Sequence, residues 1–318
     1  MLSFTHGDRK LALIKGGKYN NKILKLADDD GSSSEEEYEY EYPIDYIDEG
    51  FYQKEIKGRM TREKKQLLIE PLRRAITMGT KRGLPKELYG AFSKATKNIK
   101  DAIRKDIKLQ DGIIYPLPQK FESGSEHGYV AGPSGSGKSY YVGNYIEMFK
   151  KQHKNANVWI FSRVEEDKAL DKHDVKRILL DDGILEDPID PAELSKGKPT
   201  LVIFDDIDTI RDKDIRDEVL RLRDDVLETG RHDNITSIST NHLIMDYKKT
   251  RTLLNEVKFV TVFPKSGTSY HIKRLLKEYV GLEKAMIQKI MNLPSRWVTV
   301  YKVAPMLVLY ERGCFLII

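Results

Sequence analysis

The sequence predicts an α/β protein in which helices flank a mainly parallel β-sheet, with a small N-terminal extension of a β-hairpin and helices. From about residue 107, short apolar runs alternate with segments of helical periodicity. Nearly continuous apolar runs are typical of parallel strands that are covered on both faces. The predicted strands are 128–131, 157–162, 176–181, 200–206, 235–240 and 257–264. The last two apolar runs, 296–303 and 306–318, predict strands at the edge of the sheet.

Two helices of the sheet region have clear ends in the sequence. One is predicted to begin near Lys138, directly after a glycine-rich turn. The other, 211–230, is predicted to stop at Gly230, because glycine is a common helix terminator.

The N-terminal extension is predicted to contain a hairpin and two helices. In residues 10–26, two apolar runs flank glycines and asparagines that suit a turn. In residues 60–106, apolar side chains recur at helical spacing, and Thr61 is a candidate cap. The spaced residues are Leu67, Leu68, Leu72 and Ile76, then Leu84, Leu88, Phe92, Ile99 and Ile103. The expected organisation is a hairpin at 1–27, a linker at 28–50, a helical segment at 51–110 and an α/β domain at 111–318.

The charge of the extension is strongly divided, although the whole chain carries only +5. Residues 28–49 hold 11 acidic side chains and no basic one, so they predict either a flexible linker or a tyrosine-rich docking strip. Residues 50–120 hold 18 Lys and Arg against 7 Asp and Glu. That excess predicts either a surface that meets a polyanion or a solvated helical face.

Cysteine content and hydropathy point to an intracellular, soluble protein. The single cysteine, Cys314, cannot form an intrachain disulfide, which fits a reducing compartment. No run approaches the ~18 apolar residues of a membrane-spanning helix. The N-terminus lacks the apolar core of a signal peptide.

The turn after the first predicted strand matches the pattern G-x-x-x-x-G-K-[ST] of a P-loop. Its residues are Gly132, Pro133, Ser134, Gly135, Ser136, Gly137, Lys138 and Ser139, followed by Tyr140 at the start of the helix. Glycines let backbone amides surround the phosphates of ATP, and the helix N-terminus adds further amides. Lys138 is expected to contact the β- and γ-phosphates, and Ser139 to bind Mg²⁺.

An acidic pair, Asp205 and Asp206, ends the strand predicted at 200–206. In a parallel sheet this strand end lies at the same edge as the P-loop. Asp205 is therefore expected to bind Mg²⁺, and Asp206 to accept the proton of the attacking water. Asp208 is expected to cap a helix.

Four segments in this order resemble the FtsK–HerA branch of P-loop ATPases, specifically the genome-packaging ATPases of poxvirus-type double-stranded DNA viruses. The segments are "VAGPSGSGKS", "WIFSR", "LVIFDD" and "LETGRHDNITSISTNH", and the resemblance covers residues 126–265. It implies a P-loop NTPase fold and an ATP-hydrolysing motor that translocates DNA. It also implies double-stranded DNA, a homo-oligomeric ring and capsid proteins as partners, and a location in the host-cell cytoplasm or the virion.

The same resemblance suggests roles for residues in and before the fifth predicted strand. Family members carry a polar sensor, usually Gln, at the end of this strand; here Thr240 and Asn241 stand there, and Asn241 keeps the amide. Arg231 is interpreted either as an arginine finger for a neighbouring subunit or as a surface or capping residue. His232 is interpreted as a packed or surface histidine rather than a proton donor.

Two other functions fit the P-loop. A nucleotide or small-molecule kinase would need an arginine-rich lid, for which residues 265–279 are the nearest candidate. A non-motor virion protein could bind nucleotide without turnover. The order of the motifs favours the motor.

Overall fold

The computed structural model describes residues 1–4, 7–27, 47, 49–56, 62–103, 105–119, 125–244 and 247–317. The chain divides into two compact units, one of residues 1–3 and 27–107 and the other of residues 4–26 and 108–318. Thr61 and nearly all of the acidic segment 28–50 lie outside the described residues.

The helices and strands are numbered in chain order. The strands are β1 Leu2–Ser3, β2 Arg9–Lys15, β3 Ile23–Leu26, β4 Asp106–Lys108, β5 Ile113–Pro116, β6 His127–Ala131, β7 Asn157–Ser162, β8 Lys176–Leu179, β9 Thr200–Asp205, β10 Ile235–Asn241, β11 Phe259–Val262, β12 Val298–Tyr301, β13 Leu307–Tyr310 and β14 Gly313–Leu316. The helices are α1 Glu49–Glu55, α2 Arg62–Thr77, α3 Tyr89–Ile103, α4 Lys138–Gln152, α5 Lys168–Asp171, α6 Gly183–Glu186, α7 Pro191–Ser195, α8 Lys213–Thr229, α9 Tyr247–Glu256, α10 Ser269–Glu278 and α11 Lys284–Met291. Among the described residues, no helix combines the length and apolar character needed to cross a membrane.

The larger unit is built on a mainly parallel sheet. Its strands in this unit lie in the order β14-β13-β12-β11-β6-β10-β9-β7-β8. The pairs from β11 to β7 are parallel, as is β7 with β8, whereas β12, β13 and β14 join antiparallel. The predicted α/β fold and the C-terminal edge strands are therefore confirmed.

The predicted N-terminal hairpin is present in the same unit. β2 pairs antiparallel with β3, and on its other side β2 pairs antiparallel with β5. An isolated hairpin is marginally stable in water, so the third strand supplies hydrogen bonds and apolar contacts that the hairpin needs. The sequence did not identify this partner strand, because the whole helical segment separates it from the hairpin along the chain.

Two apolar clusters cover the sheet. One combines strand residues such as Tyr129 and Val260 with Leu275 and Ile290 of α10 and α11. The other combines strand residues such as Phe204 with residues of α8, which supplies Leu222 among others. Side chains on both faces of these strands are therefore buried, which explains why the strands are apolar along their whole length.

The smaller unit has its own apolar core, formed by α1, α2, α3 and the turn before α3. Leu72 and Ile76 of α2 are fully buried with Leu88 and Ile99. Leu67, which the helical spacing also predicted to be apolar core, is 74% exposed. The prediction was wrong there because successive residues lie 100° apart on a helix, and the stripe that faces the core includes Leu68 and Ile69 but not Leu67.

A buried carboxyl group lies at the start of β6. Glu126 is 1% exposed, and its Oε2 accepts hydrogen bonds from the Gln119 amide at 2.9 Å and from the Tyr145 hydroxyl. Burial raises the pKa of Glu126 to about 7, although these hydrogen bonds act in the opposite direction. The folded chain therefore favours the protonated acid more strongly than the unfolded chain does.

Because of Glu126, we expect the free energy of unfolding to depend on pH. The stabilisation is complete below the unfolded pKa of Glu126, and it is lost as pH rises toward about 7. The full loss amounts to about 3 kcal/mol in the free energy of unfolding. Urea unfolding of Glu126→Gln between pH 4.5 and 8 should lack this decline, whereas the exposed Glu165→Gln control should retain it. An unchanged decline in Glu126→Gln would assign the dependence to another group.

Candidate active site

The carboxyl ends of the central strands meet at one edge of the sheet. In the strand register, Ala131 at the end of β6 lies beside Asn241 of β10 and Val262 of β11. At the next strands, Ser162 of β7 lies beside Asp205 of β9. The structure therefore brings the glycine-rich turn, the acidic pair and the polar end of β10 to the same place.

The turn between β6 and α4 needs its glycines. Gly135 and Gly137 have φ values of 74° and 105°, a region that side chains with a Cβ disfavour. A Cβ on Gly132 would lie 2.7 Å from Phe263 Cδ2 and 2.7 Å from Ser136 Oγ. α4 starts directly after the turn, so the free amides of its first turn point toward the same side. This arrangement is suited to an anion.

The side chains of the turn differ in exposure. Ser134 and Tyr140 are exposed, whereas Pro133 and Ser139 are partly buried. Polar backbone and hydroxyl groups are thus accessible next to the buried Ser136 side chain. An incoming polyanion would replace water at these groups rather than at an apolar surface.

Lys138 is buried within this edge, with 7% of its side chain exposed. Its Nζ donates a hydrogen bond to the Gly132 carbonyl at 2.9 Å and lies 3.4 Å from Asp206 Oδ1. A buried ammonium is costly unless it is paired, so these two oxygens explain how the cation is tolerated. The lysine is held at the junction of the turn and the acidic pair.

Asp205 is the more enclosed member of the acidic pair. Its Oδ1 accepts a hydrogen bond from Thr240 Oγ1 at 2.8 Å, and its Oδ2 accepts one from Ser162 Oγ at 3.1 Å. Burial, and then the charge of Asp206, raise the pKa of Asp205. A cation at this position would favour the ionised form and offset both effects.

Asp206 takes a left-handed backbone conformation with φ of 48°. Its amide donates to both the Thr240 carbonyl at 3.1 Å and Thr240 Oγ1 at 2.9 Å. The hydroxyl of Thr240 therefore links the backbone of one acid to the carboxylate of the other. The sequence marked Thr240 only as a polar strand end, since its two partners lie about 35 positions earlier.

Asn241 lies between the turn and the acids. It is 4% exposed, and its carbonyl accepts a hydrogen bond from the Gly132 amide at 3.1 Å. Its side-chain Oδ1 is buried and has no hydrogen-bond partner within the described part of the chain. A buried acceptor without a partner is costly, so this oxygen is available to orient a polar ligand or a water molecule.

Asp208 and His242 are two further functional candidates at this site. The predicted helix-capping role of Asp208 was wrong, and His242 was not identified from the sequence. Asp208 does not cap a helix: its Oδ2 accepts hydrogen bonds from the amides of His242 and Leu243, each at 3.0 Å. His242 Nδ1 lies 3.4 Å from Asp206 Oδ1. His242 could have been found from the sequence, because it directly follows the polar end of the predicted strand.

Two sets of side chains at this edge can hold a divalent cation. Asp205 and Ser139 offer oxygen ligands of the kind that Mg²⁺ prefers, and the raised pKa of Asp205 indicates a carboxylate that a cation would stabilise. Asp206, Asp208 and His242 each offer one ligand atom, all within 4.8 Å of one another. The second set includes a nitrogen, which suits transition metals better than Mg²⁺.

Arg231 lies just before β10 begins, at the end of this strand opposite to Asn241. Its side chain is exposed, and its Nε donates to His232 Nε2 at 3.3 Å. It lines a cavity of about 290 Å³ together with Glu126 and His153. At about 3.3 Å per residue, β10 is about 20 Å long, and Arg231 and Asn241 lie at its two ends. The structure therefore does not bring Arg231 to the acidic pair of its own chain.

The segment 265–279 does not have the form of an arginine-rich lid. It contains α10, whose Ile272, Leu275 and Leu276 are fully buried in the core of the sheet. The arginine of this segment, Arg274, forms an ion pair with Glu278 at 3.0 Å. A helix anchored by three core residues is poorly suited to open and close over a substrate.

The chain is similar to a viral protein over most of its length. It is 40% identical over 220 residues to "Uncharacterized protein V3" of the Sputnik virophage, which corresponds to 67% of this chain and 85% of that protein. No protein-family model matches the chain.

The chain is also similar to several solved structures. They include the genome-packaging NTPase B204 of Sulfolobus turreted icosahedral virus 2 in complex with AMPPCP, at 17% identity and a TM-score of 0.41, covering 56% of this chain and 92% of that one. The cytoplasmic domain of the type VII secretion ATPase EccC of Thermomonospora curvata has 14% identity, a TM-score of 0.46 and coverages of 66% and 29%. The pCW3 conjugation coupling protein TcpA with ATPγS has 15% identity, a TM-score of 0.37 and coverages of 67% and 65%.

Proposed function

The chain belongs to the family of protein V3 of the Sputnik virophage, and from the geometry of its candidate site we propose that it is an ATP hydrolase. One observation carries the proposal: a buried lysine after a glycine-rich turn lies 3.4 Å from one of two adjacent carboxylates. A cation, backbone amides and a candidate base within a few ångströms are the parts that phosphoryl transfer to water requires.

Each residue of this edge has a defined task in the proposed reaction. The backbone of residues 132–139 binds the phosphates, and Lys138 moves from the Gly132 carbonyl to the β- and γ-phosphates. Asp206 accepts the proton of the attacking water. The unpartnered Oδ1 of Asn241 orients that water, and Thr240 holds the two acids in place.

Ser139 and Asp205 would hold Mg²⁺, which supplies positive charge to the phosphate oxygens when it is bound. The hydroxyls of Ser162 and Thr240 orient the Asp205 carboxylate, each through one hydrogen bond. Ligands that are oriented by hydrogen bonds bind a cation more tightly, because less order is lost on binding.

We further propose that ATP hydrolysis drives translocation of double-stranded DNA, as in viral genome packaging, by a ring of identical subunits. The motif order supports this proposal, and so does the viral relative. The position of Arg231, remote from the acids of its own chain, suits a residue that acts on a neighbouring subunit. We propose capsid proteins as partners of the ring. The basic segment 51–110 is proposed as the surface that contacts DNA.

The proposal is tested by measuring phosphate release from ATP with and without double-stranded DNA. A motor hydrolyses ATP and does so faster with DNA. A kinase would need a small acceptor, and a non-motor virion protein would show no turnover. Absence of hydrolysis under all these conditions would refute the ATPase proposal, and hydrolysis that DNA does not change would refute the motor.

Lys138→Ala should weaken ATP binding about 10- to 100-fold, because it removes the charge-assisted hydrogen bonds to the phosphates. Hydrolysis should be abolished with it. Lys151→Ala is the matched control, since Lys151 lies on the same helix and pairs with Glu147 on the surface. Calorimetry and phosphate release would measure both effects. Normal turnover in Lys138→Ala would exclude the glycine-rich turn as the site of ATP.

A further inference from the structure

Tyr140 differs from the other tyrosines of α4. Tyr141 and Tyr145 are 2% and 1% exposed, and their hydroxyls are engaged by Thr299 and Glu126 respectively. Tyr140 is 44% exposed and directly follows Ser139. An aromatic ring thus faces solvent immediately beside the proposed phosphate site.

Two side chains from distant parts of the chain complete a cluster around this ring. The Tyr115 hydroxyl, on β5, lies 3.4 Å from the Tyr140 hydroxyl. The guanidinium carbon of Arg296 lies 5.6 Å from the centroid of the Tyr140 ring. That distance is within the range of a cation–π interaction.

Arg296 is held in this position from its other side. Its Nε donates to Glu311 Oε1 at 2.7 Å, and its backbone amide donates to Glu311 Oε2 at 2.8 Å. Arg296 nevertheless keeps 67% of its side chain exposed. An oriented guanidinium and two phenol rings therefore form a partly open surface, and rings and guanidinium planes are the groups on which nucleobases stack.

We propose that Tyr140, with Arg296 and Tyr115, binds the nucleobase of the nucleotide whose phosphates occupy residues 132–139. This inference rests on the proposed function, because it places the base relative to phosphates in that turn. The base stacks on the exposed aromatic and guanidinium surface next to the phosphate cradle. Since stacking uses the face of the base and not its edge, the surface accepts adenine and guanine alike.

The inference is tested by calorimetry on the full chain with ATP, GTP and inorganic tripolyphosphate, each with Mg²⁺. Tyr140→Ala should weaken ATP and GTP binding about 5- to 100-fold, the range for loss of one base-stacking aromatic. Tripolyphosphate binding should change less than about twofold, because it has no base. Tyr140→Phe should bind like the wild type, since it keeps the ring. Arg296→Ala should weaken nucleotide binding about 2- to 5-fold.

Tyr270→Ala is the control, because Tyr270 is also an exposed tyrosine, at 64%, but lies on α10. Equal ATP affinity in Tyr140→Ala and the wild type would overturn the inference and leave the ATPase proposal intact. Equal losses for ATP and tripolyphosphate would also overturn it, since they would place Tyr140 in support of the phosphate cradle. A loss confined to one of the two nucleotides would contradict stacking. A wild-type chain that binds neither ATP nor tripolyphosphate would refute the proposed function itself.

Discussion

Arg231→Ala is expected to lower the rate of ATP hydrolysis about 10³- to 10⁵-fold while ATP affinity stays near that of the wild type. The reason is positional: Arg231 lies at the end of β10 opposite to the acidic pair, so an arginine finger at this position would act on phosphates bound to a neighbouring subunit. Steady-state turnover and calorimetric ATP binding measure the two quantities. The exposed Arg211→Ala is the matched control and should keep its activity.

Mixing separates action on a neighbour from action within one chain. Arg231→Ala and Asp206→Asn subunits should each be inactive alone. In a mixed ring, some interfaces pair an intact Asp206 with an intact Arg231, so part of the activity should return. No recovery in rings that demonstrably contain both variants would show that Arg231 has a local role. Turnover per subunit that is independent of protein concentration would argue against a composite site.

Asp206→Asn is expected to reduce hydrolysis about 10²- to 10⁴-fold without a comparable loss of ATP binding. An amide cannot accept the proton of the attacking water, whereas its size and its contact with Lys138 are largely preserved. Single-turnover hydrolysis and ATP titrations would measure the effect. The exposed Asp187→Asn serves as the control for loss of one negative charge.

Asp205→Asn distinguishes the roles of the two acids. It should raise the Mg²⁺ concentration needed for half-maximal hydrolysis, because Asp205 is the proposed ligand, whereas Asp206→Asn should not. Normal hydrolysis in Asp206→Asn would transfer the role of base to another carboxylate. Asp208 would then be the first alternative, since its Oδ1 is buried and has no hydrogen-bond partner among the described residues.

The sequence determined the local parts of this protein. Strand positions followed from continuous apolar runs, and α4 followed from the turn that precedes it, because both depend on neighbouring residues. The sequence likewise predicted Asp205 and Asp206 at a strand end. The prediction failed for Leu67, where helical spacing alone could not tell which of several apolar residues faces the core.

The tertiary structure decided which of these parts meet. Thr240 joins both acids, Asp208 holds the loop after β10, and His242 lies beside Asp206 only because β10 is inserted between β6 and β9. These relations depend on pairing between strands that are distant in sequence, and the local pattern of apolar and polar residues is compatible with several strand orders.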